Sequence, residues 1–338
     1  MTEVVEQVTE RPPTVPLAGS LSPSRAADFK TCPLLYRFRS VDRIPQRPTT
    51  AAARGTLVHA VLERLFDLPA AERTYEAAAA LVEPEWAALA EAEPDLAALF
   101  ATATATATAS AGDAVGAADA ADGAAVAADG TADGAGGAAD GTADGAGGAA
   151  VDGAALAEWL DSARRMVAGY FALEDPSRLE PAAREQLVEA VLDLGDSPGL
   201  ALRGYVDRLD VAPTGEMRVV DYKTGAIPRV AYEAKALFQL KFYALVLWRT
   251  HGTVPHTLKL MYLADRDTLA YRPDAAELER FERTLVAVWR AIERAVTTQD
   301  FRANPSKLCG WCDYQALCPP HGGTPPPYPV AVVRPGGA

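Results

Sequence analysis

The chain has 338 residues, 49% of them apolar, and its 45 acidic and 32 basic residues give a formal net charge of -13. This composition is typical of a globular protein that buries a core, and the length is sufficient for two domains. No run of 18 apolar residues free of charge occurs, which excludes a membrane span. The acidic, proline-rich start lacks the basic and apolar regions of a secretory signal, so a cytoplasmic location is expected.

Much of the negative charge comes from one low-complexity segment. Residues 111–153 contain eight Asp and no Lys or Arg, and the remainder is mildly acidic, without the basic surface typical of tight, non-specific duplex binding. Few large side chains are present there to offset chain entropy, so we expect a disordered insertion. The predicted segments are a disordered tail at 1–20, an N-terminal helical part at 21–100, the insertion at 101–153, a core at 154–300, a cysteine-rich segment at 301–322 and a disordered tail at 323–338.

Hydrophobic periodicity predicts helices on both sides of a small sheet. Helical spacing of apolar residues is found at 56–66 and 154–174. The period then changes, and the turn signals "GDSPG" and "PTGE" separate the first three of the strands that follow, which predicts an antiparallel meander. The predicted strands are 186–194, 200–212, 217–223 and 257–265, and the later predicted helices are 236–250 and 275–296. The pattern indicates an α/β fold with a small mixed sheet flanked by helices.

Two carboxylates are expected to meet where the second and third strands are joined by a turn. Asp207 and Asp221 each lie near the end of one of these strands, and two close carboxylates repel unless a proton or cation lies between them. Mg²⁺ takes such oxygen ligands and commonly accompanies phosphate. Lys223 shares a strand face with Asp221, whereas Tyr222 points the other way. The alternative is a strand that runs into a turn at Gly225 with its charges solvated.

Four motifs resemble those of the PD-(D/E)xK nuclease superfamily, in its RecB-like exonuclease branch. "GYVDRLD" and "DYKTG" match the family patterns G-x-[IV]-D-R-x-D and D-Y-K-T-G, and "GTLVHAVLE" matches an upstream G-T-x-x-H-x-x-L-E. Gln239 and Tyr243 match a later Q-x-x-x-Y helix. The motifs stand in family order over residues 55–243, and the resemblance implies a restriction-endonuclease-like core.

The resemblance also implies a metal centre. His59, Asp207 and Asp221 would bind Mg²⁺ or Mn²⁺, with the backbone carbonyl of Tyr222 as a further ligand; the imidazole makes Mn²⁺ suitable as well as Mg²⁺. The alternative for His59 is a packed histidine of an apolar helix.

Further positions have one role under the resemblance and another as ordinary structural residues. Lys223 would assist the attacking water, and Gln239 and Tyr243, on one helix face, would contact DNA or orient the site. Either of these two could also be an ordinary helix residue. Glu185 is either a further acidic contributor or a solvated residue at a strand start. Asp210 is left outside the site, as a strand cap or a partner of Arg208.

The four cysteines form a complete set of ligands for a metal or cluster. Cys309, Cys312 and Cys318 have the spacing C-x₂-C-x₅-C, and Cys32 lies far upstream. Disulfides are not expected in a reducing cytoplasm. Four thiolates suit tetrahedral zinc and an iron–sulfur cluster equally, and spacing alone does not decide between them.

Resemblance favours the cluster. Several RecB-like nucleases, including the AddB subunit of a helicase–nuclease and the CRISPR-associated adaptation nucleases, carry a [4Fe–4S] cluster on one cysteine before the nuclease motifs and three after them. "SPSRAADFKTCPLLY" around Cys32 is similar to their pattern. The resemblance therefore implies a [4Fe–4S] cluster that joins the N-terminal helical part to the C-terminal segment, with Zn²⁺ as the alternative.

The expected function is that of a metal-dependent DNA nuclease, a RecB-like exonuclease that hydrolyses phosphodiester bonds in DNA repair or recombination. Single-stranded DNA or DNA ends would be its partners. The alternative is a weak or inactive DNA-binding scaffold subunit of a helicase–nuclease complex. The chain has no G-x-x-x-x-G-K-[ST] phosphate loop, so a helicase motor would be a separate partner.

Overall fold

A computed structural model describes residues 19–101, 152–195, 199–227 and 230–329, with only the backbone described for 230–235. Residues 1–18, 102–151 and 330–338 lie outside the described residues, so the predicted disorder of the N-terminal tail and of almost all of the insertion falls on positions that are not described. Among the described helices, none is long and apolar enough to cross a bilayer.

Short polar residues cap the helices of the N-terminal part. Thr49 accepts a hydrogen bond from the backbone of Ala52, and Thr74 accepts one from Ala77, so each satisfies a free amide of a helix start. Pro84 lies inside a helix, where it removes one backbone hydrogen bond. The helices are α1 (Pro23–Thr31), α2 (Pro33–Tyr36), α3 (Thr50–Leu65), α4 (Tyr75–Ala92) and α5 (Pro94–Ala97), with a π-helical turn at Arg37–Val41.

The later elements form a five-stranded mixed sheet with helices, which confirms the predicted α/β class. In chain order they are α6 (Gly153–Leu173), β1 (Ala183–Leu192), β2 (Leu200–Val211), β3 (Met217–Lys223), α7 (Val230–His251), β4 (Thr257–Tyr262), β5 (Asp267–Tyr271) and α8 (Ala275–Thr298). The sheet order is β1-β2-β3-β4-β5. β3 pairs antiparallel with β2 and parallel with β4, and α7 supplies the crossover that parallel strands require.

The described chain divides into two compact units, each assembled from separate stretches. The larger unit comprises Pro48–Val188 and Gly204–Leu278. The smaller unit comprises Met1–Arg47, Glu189–Arg203 and Glu279–Ala338. The division into linear segments therefore remains a prediction from the sequence.

The core of the larger unit is built by α3, α4 and α6 against residues of β3 and of the β4 end. The predicted apolar face of α3 is buried, with each member at most 1% exposed: Leu57, Val58, Val61, Leu62 and Leu65. α6 packs closely against the backbone of Leu263 at Gly169. A Cβ added to Gly169 would lie 1.9 Å from the carbonyl oxygen of Leu263. This packing fixes α3 and its histidine against the strand that carries Tyr222.

In the smaller unit, the described end of the C-terminal region packs against the N-terminal helices. Arg37 donates a hydrogen bond to the carbonyl of Pro326. The ring of Phe301 stacks between those of Tyr36 and Tyr328, at centroid distances of 6.5 and 6.0 Å. The predicted tail at 323–338 thus has defined contacts in its described part, because Tyr328 supplies the large apolar ring that the Pro and Gly residues around it lack.

Candidate active site and cysteine site

His59 projects from α3 toward the strands and contacts them through both ring nitrogens. Its Nε2 lies 3.0 Å from the backbone oxygen of Tyr222. Its Nδ1 lies 3.3 Å from Glu185 and 3.6 Å from Asp207. The ring also packs edge-on against Tyr222, at a centroid distance of 5.9 Å. The α3 histidine and the strand carboxylates therefore meet in one place within the larger unit.

The antiparallel pairing of β2 and β3 brings the two predicted aspartates to the same site. Arg208 pairs with Val220, and continuing that register sets Asp207 beside Asp221. Asp207 accepts a hydrogen bond of 2.7 Å from the backbone amide of Tyr222. Both aspartates are mostly buried, and Asp221 is only 1% exposed.

Asp221 begins a chain of polar contacts that extends onto α7. Its carboxylate lies 2.7 Å from the Lys223 ammonium, which donates to Gln239 Oε1 at 3.0 Å. Gln239 in turn donates to the Tyr243 hydroxyl at 3.0 Å. The structure thus brings together the lysine and the two helix residues that the motifs singled out.

Glu185 completes a three-residue group that can hold a metal ion. Ligand atoms of His59, Glu185 and Asp207 all lie within 4.8 Å of one another, whereas Asp221 lies outside this group and pairs with Lys223. Glu185 adopts a φ of 41°, which is uncommon for a residue with a side chain. The sequence left its role open between a ligand and a solvated residue, and the geometry brings it to the site.

Concentrated negative charge shifts the titration of this group in the metal-free protein. Burial by itself would lower the pKa of His59, but Asp207, Glu185 and Asp221 outweigh burial and raise it to about 9. Burial, reinforced by Asp221 and Glu185, raises the pKa of Asp207 even though His59 opposes the shift. The neighbouring carboxylates favour the protonated forms of His59 and Asp207, because a bound proton reduces their mutual repulsion.

Burial would lower the pKa of Lys223, but Asp221 and Asp207 raise it. The lysine is therefore protonated at neutral pH. It supplies a fixed positive charge next to the carboxylates.

The opposite side of the same strands holds a buried arginine. Arg208 is 0% exposed and donates to the Tyr222 hydroxyl at 2.9 Å and to Glu174 at 2.7 Å. Asp210 lies 3.1 Å from its Nε atom, which agrees with the exclusion of Asp210 from the site. The Tyr222 ring is thus anchored on this side, as the alternation along the strand predicted, while its backbone atoms contact His59 and Asp207.

The four cysteines lie around one cavity of the smaller unit, beside apolar side chains that include Leu34 and Phe38. Backbone amides point at two of the sulfur atoms: Asn304 donates to Cys32 at 3.4 Å, and Ser306 donates to Cys309 at 3.2 Å. Burial raises the pKa of Cys312 and of Cys318, and the charge of the neighbouring cysteines raises each further. Among the described residues, no three of these sulfur atoms fall within 4.8 Å of one another, in contrast to the His59 group.

Two phage proteins and two solved structures are among the proteins similar to this chain. The Gene 69 proteins of Mycobacterium phages L5 and D29 are 30% and 29% identical over 124 residues, which cover 36% of this chain and 40% and 44% of theirs. The chain thus matches less than half the length of these relatives. A crystal structure of a provisionally named exonuclease from Eubacterium rectale has a TM-score of 0.46 at 10% identity, covering 88% of both chains. That of SSO0001 has a TM-score of 0.30 at 16% identity, covering 49% of this chain and 78% of the other.

A family profile, in contrast, covers most of the sequence. The profile described as the PD-(D/E)XK nuclease superfamily matches residues 20–319, a range that contains the His59 group, the Asp221–Lys223 pair and all four cysteines. The chain belongs to the PD-(D/E)XK nuclease superfamily.

Proposed function

We propose that this protein is a metal-dependent DNA nuclease of the RecB-like exonuclease type, which hydrolyses phosphodiester bonds in DNA repair or recombination. One observation carries the proposal: His59 reaches Asp207, Glu185 and the Tyr222 carbonyl at 3.0 to 3.6 Å. The imidazole, the two carboxylates and the carbonyl are all donors that a divalent cation accepts.

The donor set fits Mg²⁺ or Mn²⁺. His59, Glu185 and Asp207 would hold the ion, and the Tyr222 carbonyl and Asp221 adjoin them. Carboxylates and a carbonyl suit Mg²⁺, while the imidazole extends the fit to Mn²⁺. A bound ion of this kind would supply Lewis-acid polarisation of a phosphate oxygen and a lower pKa for water.

Lys223 supplies positive charge where a phosphodiester would be attacked. Its ammonium is held between Asp221 and Gln239, so little reorganisation is needed when negative charge develops on the phosphate. Gln239 and Tyr243 would fix the lysine and contact the DNA strand.

The nuclease proposal is tested with linear DNA labelled at either end and with circular DNA. Wild-type protein with Mn²⁺ or Mg²⁺ should degrade linear single-stranded DNA and leave circles intact, since exonucleases need an end. Asp221→Ala and Lys223→Ala should each lower kcat by at least about 100-fold, as expected when transition-state stabilisation is removed. Glu158→Ala, at an exposed position of α6, is the control and should retain full activity.

If the wild-type protein cleaves neither linear nor circular DNA with either metal, the nuclease proposal is contradicted. If that protein still bound DNA, the scaffold alternative would take its place, with catalysis and the helicase motor on separate subunits. Cleavage of circles would instead identify internal cutting and reject the exonuclease part alone.

The cysteine site is proposed to hold a [4Fe–4S] cluster. A cluster binds each cysteine at a separate iron, whereas one Zn²⁺ binds four thiolates tetrahedrally. The similarity of the segment around Cys32 to the pattern of cluster-binding nucleases favours the cluster. The amide donors to Cys32 and Cys309 suit thiolate ligands. A bound cluster would join the two ends of the smaller unit and contribute to its folding.

Metal analysis of anaerobically purified protein distinguishes the two occupants. We expect iron and sulfide in equal amounts and a broad absorbance at about 400 nm, in the region typical of such clusters. Cys318→Ser should abolish the absorbance. A colourless protein with one equivalent of zinc would reject the cluster and establish the alternative.

A further inference from the structure

One tryptophan side chain of the smaller unit is far more exposed to solvent than most other tryptophans of the chain. Trp86, Trp159 and Trp289 are at most 8% exposed, whereas Trp311 is 68% exposed. It ends a 3₁₀ helix (Lys307–Trp311) between two of the cysteines. Within the described residues, Trp311 has no ring contact and no hydrogen-bonded side chain. Aromatic residues are enriched at interaction surfaces relative to the rest of a protein surface.

The exposed residues near Trp311 include one apolar residue and three basic residues, together with the acidic Asp313 two positions later. Leu308, 45% exposed, lies one 3₁₀ turn earlier and therefore on the same side as Trp311. Lys307 is exposed in the same helix. The Tyr314 hydroxyl, three residues beyond Trp311, donates to the carbonyl of Ile44 at 3.0 Å, which brings the loop with the exposed Arg43 and Arg47 to this segment. We call Arg43, Arg47, Lys307, Leu308 and Trp311 the Trp311 surface.

The two units differ in the formal charge of their described residues. Among described residues, the smaller unit has 13 Lys and Arg against 9 Asp and Glu, whereas the larger unit has 16 against 25. A polyanion is therefore repelled by the larger unit beyond its immediate site and attracted by the smaller one. A binding surface on the smaller unit would add attraction for phosphates to the DNA contacts proposed for Gln239 and Tyr243.

We propose that the Trp311 surface binds a DNA strand, with a base stacked on the Trp311 indole and phosphates beside Lys307, Arg43 and Arg47. This inference rests on the proposed function and extends it to the mode of substrate binding. Every base offers a π-face, so stacking is tolerant of sequence, and neighbouring cations add to the attraction. Single strands are favoured over duplex, because only an unpaired base exposes its face to the indole.

Stacking is tested by fluorescence anisotropy with a labelled oligothymidylate, using the purified full chain without added divalent metal so that no hydrolysis occurs. Stacking is worth about 1–3 kcal/mol per base, so Trp311→Ala should weaken binding by about fivefold or more. Trp311→Phe should retain most of the affinity, because an aromatic face remains. Val191→Ala truncates another exposed apolar residue of the same unit, 70% exposed, and should change nothing.

The basic residues are tested through salt dependence. Each phosphate contact contributes a slope of about 0.7 in the logarithm of the affinity against the logarithm of salt concentration for single strands. The double variant Arg43→Gln/Lys307→Gln should lower the slope by about 1.4. Arg302→Gln, at a site 84% exposed and paired with Asp300, should leave it unchanged.

The outcomes separate this inference from the nuclease proposal. If wild type cleaves DNA and Trp311→Ala binds the oligonucleotide as wild type does, the Trp311 inference is wrong and the nuclease stands; the surface is then a site for a protein partner. If wild type neither binds nor cleaves DNA, both fail. If the variants match wild type in thermal midpoint and in absorbance at about 400 nm, misfolding is excluded as the cause of a loss of binding.

Discussion

His59 contacts different partners through its two ring nitrogens. The sequence predicted some of these partners and could not assign others. Its placement on a helix, and the shared face of Asp221 and Lys223, follow from periodicities of 3.6 and 2 that are readable in the letters. Glu185 could not be assigned in that way. Its position depends on a φ of 41° at the start of β1, which no local pattern specifies. Strained backbone of this kind concentrates at functional sites.

Glu185→Gln should weaken Mn²⁺ binding by about 10- to 100-fold, the range for loss of a ligand or of its hydrogen-bonded support. The amide retains the shape of the side chain and loses the charge beside His59. Calorimetric titration with Mn²⁺ measures the change. Glu189→Gln, an exposed position on the same strand, is the matched control and should bind as wild type does. Equal affinity of both variants would remove Glu185 from the site.

Metal binding should release a proton and become tighter as pH rises. The His59 pKa of the metal-free protein is about 9, so the ring is protonated at pH 7 and must lose its proton to bind an ion. Apparent affinity should therefore increase with pH, by up to tenfold per unit, and level off above the pKa. Titrations in two buffers of different ionisation enthalpy count the protons. His59→Gln should abolish the release assigned to the ring, and an unchanged count would contradict it.

At the scale of elements, burial explains which predictions were confirmed. Helices α3, α6, α7 and α8 each carry a long apolar pattern, and all four were predicted. The bounds of α6 and α8 were predicted to within two residues, whereas α3 and α7 each begin six residues before their predicted starts. β5 was missed because its side chains are mostly exposed and show no alternation. α4 was not predicted as a single helix, because Pro84 argues against a helix interior, and tertiary packing of Ala78, Val82 and Trp86 outweighs that cost.

Gly169 is the point at which α6 tolerates no side chain. Gly169→Ala would put a methyl group onto the Leu263 carbonyl, and such overpacking typically costs about 1–3 kcal/mol. We expect a lower urea midpoint at an unchanged slope. Gly153→Ala, at the first residue of the same helix with open space around it, should be neutral or slightly stabilising. Equal midpoints for the two variants would mean that α6 shifts freely.

At the scale of the whole molecule, the order of the motifs along the chain predicts the site but not the division into units. The larger unit takes His59 from before the low-complexity segment and the aspartates from after it. Long-range packing of this kind has no local signature, because it depends on loop closure across many residues. The same applies to the cysteines, whose spacing predicted a complete ligand set and left its occupant open.

The described ends that flank residues 102–151 lie side by side. The Asp152 amide donates to the Phe100 carbonyl at 2.8 Å, so a short Gly/Ser linker can replace the segment without separating α5 from α6. We expect the shortened protein to keep its thermal midpoint and its nuclease activity within about twofold, since loop closure entropy changes slowly with length. A large loss of activity at an unchanged midpoint would assign the segment a role in the reaction.

Cys32 is separated from the other three cysteines by almost the entire chain, so the ribosome synthesises it long before them. At typical rates of about 5–20 residues per second, Cys309 is synthesised roughly 14–55 s after Cys32. His59, Glu185, Asp207 and Lys223 all emerge within that interval. A chain that ends before Cys309 would therefore carry all of these proposed site residues but only one of the four cysteines. The proposed cluster would then form only on a chain whose synthesis has passed Cys318.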